Sequence, residues 1–262
     1  MTDIYKVSAT IVTYNSDFED LLKAIESFNK ASLKKSLLLI DNNSGLEYFN
    51  ALKAGVDEQI IRLDNNRGYG SGHNVGVVNS VDSEYHLVLN PDVVIHEGTL
   101  EALVDFMDSN SSVGLVSPKV LNTDSSLQCL NKRQPTVLDL FLRRFVPSSL
   151  HTISIVKKRL DYYEMKDKGY DVELDIPYMT GCFMLFRRSV FEKILGFDEN
   201  IFLHFEDADI TRRVNEVSRA VYYPNATITH GWVRGSHTSF AIAWITIKSA
   251  FYYFNKWGWK WM

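Results

Sequence analysis

Cysteine is almost missing from this chain: Cys129 and Cys182 are the only two among 262 residues. Two thiols build no disulfide framework, and nothing near them has the spacing of a zinc site. A secretory leader is missing as well, because the N-terminus carries Asp3 and Lys6 and runs straight into the strand-like VSATIV. Both absences point to a reducing cytoplasm. There is no basic excess: the net charge is −4 and the pI about 6.0, which argues against a general nucleic-acid binder. Repeats and low-complexity tracts are absent. No apolar run reaches the ~20 residues that span a bilayer; the longest, from Phe240, covers about 15. Two glycine signatures of nucleotide binding also fail. RGYGSGHNVG (67–76) holds four glycines, yet counting from Gly68 or Gly70 the last glycine of G-x-G-x-x-G falls on His73 or Val75. No P-loop pattern occurs.

What is present is an ordinary globular composition, 45% hydrophobic and 23% charged, at a length for one large domain or a domain with a small extension. VSATIV (7–12), LLLID (37–41), residues 59–63, HLVLN (86–90) and VGLVS (113–117) read as strands. Helical spacing separates them. Phe18, Leu21, Leu22, Ile25 and Phe28 recur on one face; residues 46–54 form a short helix; another follows the glycines to Val81; Leu100, Leu103, Val104 and Met107 mark a fourth. Ser16 with Glu19, and Ser189 with Glu192, read as capping boxes, and Thr99 as a further cap. Residues 122–175, with Pro135 and Pro147, read as loops and short helices laid over the core. A strand at 180–188, helices at 189–195 and 206–214, and two short strands, VYYP and TITH, complete the pattern. The alternation predicts an α/β fold with a mostly parallel central sheet flanked by helices.

In an open sheet of that kind, ligands bind beyond the carboxyl ends of the strands. The first strand ends in Thr13-Tyr14-Asn15, the second in Asp41-Asn42, and HLVLN in Asn90-Pro91-Asp92. One acid after a strand is ordinarily a turn or a helix cap; three polar ends on successive units weigh against that plain reading. A carboxylate at the mouth of a core strand costs several kcal/mol unless a cation, water or a metal meets it. Glu206, Asp207 and Asp209 crowd one helix start behind Phe202 and Phe205, a place for a partly buried carboxylate with work to do. His230 ends TITH. It is either structural or, with Asp92 and diphosphate oxygens, part of a six-coordinate Mg2+ or Mn2+ site.

In their order, these pieces resemble glycosyltransferase family 2, inverting enzymes of the GT-A fold, and in particular its bacterial rhamnosyltransferase-like branch. The matching stretches are IVTYNS (11–16), IDNNS (40–44), NRGYGSGHNVG (66–76), LNPDV (89–93), TGCFMLFRR to FEDADITRR (180–213), and His230. The resemblance implies a GT-A domain over 1–235, with a Rossmann-like donor-nucleotide half at 1–117 and an acceptor half at 118–235. A helical tail follows at 236–262. It implies that Thr13, Asn15, Asp41, Asn43, Arg67, Gly68, Asn74, Asn90 and Asp92 surround a nucleoside diphosphate sugar, dTDP-L-rhamnose being favoured. Asp92 and His230 would hold Mg2+ or Mn2+. Asp207 would be the general base, supported by Glu206 and Asp209 on the acceptor side. The acceptor would be polyprenyl-linked or an oligosaccharide, in surface polysaccharide synthesis. One position departs from the family: Asn90 stands where the D-x-D signature has its first acid, which removes one carboxylate from the metal.

Two readings from other classes stay open. A sugar nucleotidyltransferase would want a glycine-rich basic loop after the first strand, where this chain has TYNSDFED. A non-catalytic carbohydrate-binding protein would have no use for Asp92, Asp207 and His230 together.

The tail, FAIAWITIKSAFYYFNKWGWKWM (240–262), is either a buried helix or an interfacial one anchored by Trp244, Trp257, Trp259, Trp261 and its lysines. Lys132 to Arg159 carries seven Lys/Arg against one acid, Asp139. That stretch is either solvated or adds attraction to anionic lipid. The interfacial reading makes the protein cytoplasmic and peripheral on the inner membrane face.

Overall fold

The structure, a computed structural model, describes residues 4–231 and 240–262. Its first half alternates strand and helix as the periodicity predicts: β1 (Tyr5–Thr13), α1 (Phe18–Asn29), β2 (Lys35–Asp41), α2 (Leu46–Gly55), β3 (Gln59–Arg62), α3 (Tyr69–Asn79) and β4 (Ser83–Leu89). Then come β5 (Val93–Ile95), α4 (Thr99–Ser109) and β6 (Val113–Leu121). The irregular stretch holds α5 (Val137–Phe145), a 3-10 turn at Ser148–Thr152, α6 (Ser154–Tyr163) and a two-residue strand, β7 (Leu174–Asp175). The chain closes with β8 (Phe183–Arg187), α7 (Arg188–Lys193), α8 (Glu206–Val217), β9 (Arg219–His230) and α9 (Phe240–Trp257).

Among the described residues one sheet runs β3-β2-β1-β4-β8-β6-β9-β5, with β7 on β9. The first four strands are parallel. Beyond them the sheet is mixed: β8 enters antiparallel between β4 and β6, β9 returns parallel to β6, and β5 lies antiparallel on β9. Apolar side chains alternate between two layers. On one face Leu21, Ala24 and Phe28 of α1 and Leu100, Leu103 and Met107 of α4 cover Ala9, Ile11, Leu87 and Leu185. On the other, Val77, Phe191, Phe197, Ile210 and Val214 cover Val88, Met184 and Phe186. Each large buried side chain contributes about 1.5–3 kcal/mol.

Three expected caps are replaced by other residues. Asp17, not Ser16, caps α1, its carboxylate accepting from the amides of Glu19 and Asp20. Ser189 lies inside α7, whose Glu192 instead pairs with Arg188. Gly98 precedes α4 in a left-handed conformation, and the Thr99 hydroxyl donates to the Thr227 carbonyl. VYYP and TITH form one strand rather than two. The pairing of β6 with β9 jumps from Pro118↔Tyr223 to Lys119↔Thr227. Prolines on both sides of the break, Pro118 and Pro224, have no N–H to give, so the strand bulges instead of ending.

Candidate active site

Register brings the polar strand ends to one edge. Thr13 pairs with Asp41 across β1 and β2, and Ile11 with Leu89 across β1 and β4, so the tips at 13–15, 41–44 and 90–92 are neighbours. Thr13 is fully buried and shares a 2.5 Å hydrogen bond with the Tyr48 hydroxyl. Asp41 is fully buried too. One carboxylate oxygen accepts from the Ser44 amide; the other, Oδ2, has no hydrogen-bond partner and faces Arg62 Nε at 3.6 Å. Asn15 and Asn43 both sit at positive φ (50° and 65°), and Asn15 Oδ1 accepts from the Gly45 amide. Asn42, absent from the expected set, is the buried tie of this corner. Its amide donates to Asn66 and to the Gly68 carbonyl and accepts from the Arg67 amide.

The glycine-rich stretch serves packing more than open space. A Cβ on Gly68 would stand 2.2 Å from the Phe202 carbonyl oxygen, so its close approach is to the chain's own backbone. Asn74 uses both ends of its amide on Phe197 and reaches Glu199, stapling the 196–200 loop. Arg67 is exposed and 4.0 Å from Glu199. Gly68 and Asn74 thus also pack and staple this loop.

At the edge of the sheet opposite β3, β5 lies antiparallel on β9, setting Val93 opposite His230, while the Gly231 amide donates to the Asp92 carbonyl at 2.8 Å. That pairing brings His230 Nε2 to 3.4 Å from Asp92 Oδ1. Gln128 fixes the ring. Its amide nitrogen donates to the His230 carbonyl (2.8 Å), which turns its oxygen toward Nδ1 (3.1 Å). Nδ1 then carries the proton, and the lone pair of Nε2, buried and without a hydrogen-bond partner, looks at a carboxylate. A proton or a metal cation between the two would relieve the facing lone pairs. A divalent ion with oxygen and imidazole ligands fits that pair. Among the described residues no cluster of three His, Cys, Asp or Glu side chains surrounds a metal-sized space, so substrate oxygens or water would have to supply the remaining ligands.

The opposite wall is α8. Its entry is strained, with His204 and Phe205 at φ 65° and 70°, a conformation side-chain-bearing residues rarely adopt. The turn presents three acids in three different settings. Asp207, 8% exposed, accepts from the Gly181 amide (3.2 Å) and the Ala208 amide (2.9 Å). Glu206 is buried with Oε2 unpaired; burial, then the charge of Asp207, pushes its carboxyl well above the usual range. Asp209, expected to support the acceptor side, sits in an ion-pair network. Its fully buried carboxylate takes Arg213 Nε, Lys256 Nζ and Trp257 Nε1, each at 2.8 Å, and anchors the C-terminal helix.

Tyr69 links the two walls. Its hydroxyl reaches the Gly181 carbonyl at 2.6 Å and Asn90 Oδ1 at 3.0 Å, and Gly181 in turn donates to Asp207. Burial first, then Glu206, holds its phenol well above the usual range, so it remains a donor. Tyr69 stood in the quoted glycine stretch without being singled out. Gln128 and Arg62 gave no sequence signal.

A family model described as "Glycosyl transferase family 2" matches residues 8–195. An N-acetylglucosaminyl-diphospho-decaprenol L-rhamnosyltransferase of Mycobacterium tuberculosis is 25% identical over 247 residues, 88% of this chain and 76% of that protein. Rhamnosyltransferase WbbL of Escherichia coli is 24% identical over 257 residues, 93% of this chain and 91% of that one. Among solved structures, GalNAc-T7 with UDP, GalNAc and Mn2+ superposes with a TM-score of 0.63 at 15% identity, over 88% of this chain and 44% of its own. Mannosyltransferase PcManGT from Pyrobaculum calidifontis, in complex with GDP-Man and Mn2+, gives 0.59 at 15% identity, over 90% and 59%. The chain thus spans about half the length of these solved structures.

Proposed function

Because the chain belongs to glycosyl transferase family 2 and carries the GT-A fold, we propose that it is a metal-dependent inverting enzyme. It moves L-rhamnose from dTDP-L-rhamnose to a hydroxyl of a lipid-linked or oligosaccharide acceptor in surface polysaccharide synthesis. The observation that carries the proposal is the lone pair of His230 Nε2, held by Gln128 toward Asp92 and lacking any other partner. The donor sugar rests on the mycobacterial and Escherichia coli relatives, both named rhamnosyltransferases.

In this reading Asp41, whose Oδ2 accepts no hydrogen bond, and Thr13 receive the nucleoside. Asp92 and His230 hold Mg2+ or Mn2+, which when bound neutralises charge on the leaving diphosphate. Asp207 takes the proton of the acceptor hydroxyl as that oxygen bonds to the anomeric carbon and the carbon–phosphate oxygen bond breaks on the opposite face. One displacement inverts the centre. Tyr69 keeps Gly181, hence Asp207, in register with Asn90. The exposed apolar side of α9 meets the surface of the membrane that carries a lipid-linked acceptor.

Transfer from dTDP-L-rhamnose to a synthetic lipid diphosphate sugar, with and without Mn2+, tests the whole. Asp207→Asn is expected to lower turnover about 10²–10⁴-fold, leaving dTDP affinity in place, and Asp92→Ala to remove the response to Mn2+. Wild-type turnover in Asp207→Asn would assign the base elsewhere; a metal response in Asp92→Ala would remove that acid from the scheme.

A further inference from the structure

Lys132 is a buried cation for which the scheme above has no use. It is 7% exposed, and among the described residues no carboxylate lies within ion-pair distance of its ammonium. Its recorded companion is the face of the Tyr178 ring, 4.7 Å from Nζ. A ring face offsets only part of the cost of taking an ammonium out of water. Lysines are rarely buried without a counter-charge, so a chain that keeps one there has either a structural reason or a ligand to meet it.

Position favours the ligand. Residues 130–132 run beside 178–180: Lys132 and Tyr178 exchange backbone hydrogen bonds at 3.0 and 3.1 Å, and Thr180 donates to the Leu130 carbonyl. The next residue, Gly181, carries the amide that holds Asp207. Lys132 therefore flanks the wall that presents the candidate base. Its electrostatic surroundings agree: burial and Arg143 lower its ammonium to about 8, while Asp207, Glu164 and Cys182 act in the other direction. The thiol of Cys182, one residue past Gly181, feels Asp92, Lys132 and Asp207 together.

We propose that Lys132 is the built-in counter-ion for a phosphate of a substrate diphosphate, a binding residue at the junction of the donor and acceptor sides. The inference rests on the transfer reading for the identity of its ligand. Two carriers share that chemistry, the nucleoside diphosphate of the donor and a diphosphate linking an acceptor sugar to its lipid.

The test compares wild type with Lys132→Met and Lys132→Arg, without turnover, by calorimetry with inorganic pyrophosphate, dTDP, dTMP and a short-chain alkyl-diphospho sugar. Removing an uncompensated buried charge should leave the thermal midpoint of Lys132→Met at or above wild type, so loss of binding is not loss of fold. A donor-side role weakens dTDP at least about tenfold in Lys132→Met while dTMP changes little. An acceptor-side role weakens the alkyl-diphospho sugar by the same factor and spares dTDP. Lys132→Arg should recover part of whichever is lost. If a folded Lys132→Met binds pyrophosphate, dTDP and the alkyl-diphospho sugar as wild type does, the proposal is overturned; so it is if wild type binds none of them. A wild type that loses pyrophosphate affinity on substitution yet transfers no sugar would keep the anion site and sink the transfer reading.

Discussion

Gln128 holds the carbonyl and the Nδ1 of His230 at once, and so decides which ring nitrogen is free. This pairing spans 102 positions in the chain, and a glutamine in an irregular stretch gives no sign of it. Residues that orient a ligand through its other nitrogen commonly matter 10–100-fold to metal affinity. Gln128→Leu is accordingly expected to weaken Mn2+ binding in the presence of dTDP by about that factor, read by calorimetry or by the Mn2+ resonance signal. Unchanged affinity would mean that His230 needs no such brace. Asp41, Asp92 and Asp207 were visible as candidates because strand ends and helix starts announce themselves. Their surroundings were not: Arg62 meets Asp41, Gln128 braces the His230 that faces Asp92, and Tyr69 holds the Gly181 that donates to Asp207, all only after the chain has folded.

Among the elements, α8 and α9 explain why three adjacent acids do not share one task. Helical geometry turns Asp209 away from Asp207, and the C-terminal helix supplies the cations it meets. Lys256 bridges Asp209 and Asp198 while Trp257 donates its indole N–H. Tyr253 and Phe254 bury themselves against Phe205 and Ala208. Asp209→Ala would leave Arg213 and Lys256 short of a buried partner. A loss of about 3 kcal/mol is expected, at the low end of the range for breaking a buried pair because Lys256 reaches solvent and keeps Asp198. Denaturant unfolding measures it, and limited proteolysis should find the segment after residue 239 freed first. A loss below 1 kcal/mol would show that apolar contacts alone seat α9.

On the scale of the molecule, the tail is both packed and exposed. The side with Ser249, Tyr253 and Phe254 is buried, whereas Trp244, Ile247 and Phe251 face outward, Trp244 being 58% exposed. The Lys260 and Trp261 carbonyls accept from the Val137 and Leu138 amides, which ties the tail to α5. The next helix, α6, shows Ile155 beside Lys157 and Lys158. No helix among the described residues is long and apolar enough to cross a membrane. An outward apolar stripe with lysines near it suits the surface of an anionic bilayer. Replacing Trp244, Ile247 and Phe251 together by Ser, which leaves the packed side alone, should abolish flotation with anionic vesicles and leave the fold intact. Flotation of the triple variant at wild-type level would detach α9 from the membrane reading. Deleting the helix is the poorer experiment, because it strips Tyr253 and Phe254 from the core.

The sequence by itself determined the strand–helix alternation, the polar edge and the family. Apolar periodicity and short ordered motifs are local, and each survives any arrangement of the rest. Only the tertiary structure decided the antiparallel entry of β8, the single bulged β9, the turn of β5 that sets His230 against Asp92, and the diversion of Asp209 into an anchor. Those features depend on pairing and charge neutralisation between segments as much as 138 residues apart (230 less 92). Burial of groups such as Asp209 and His230, rather than any local preference, makes them energetically decisive.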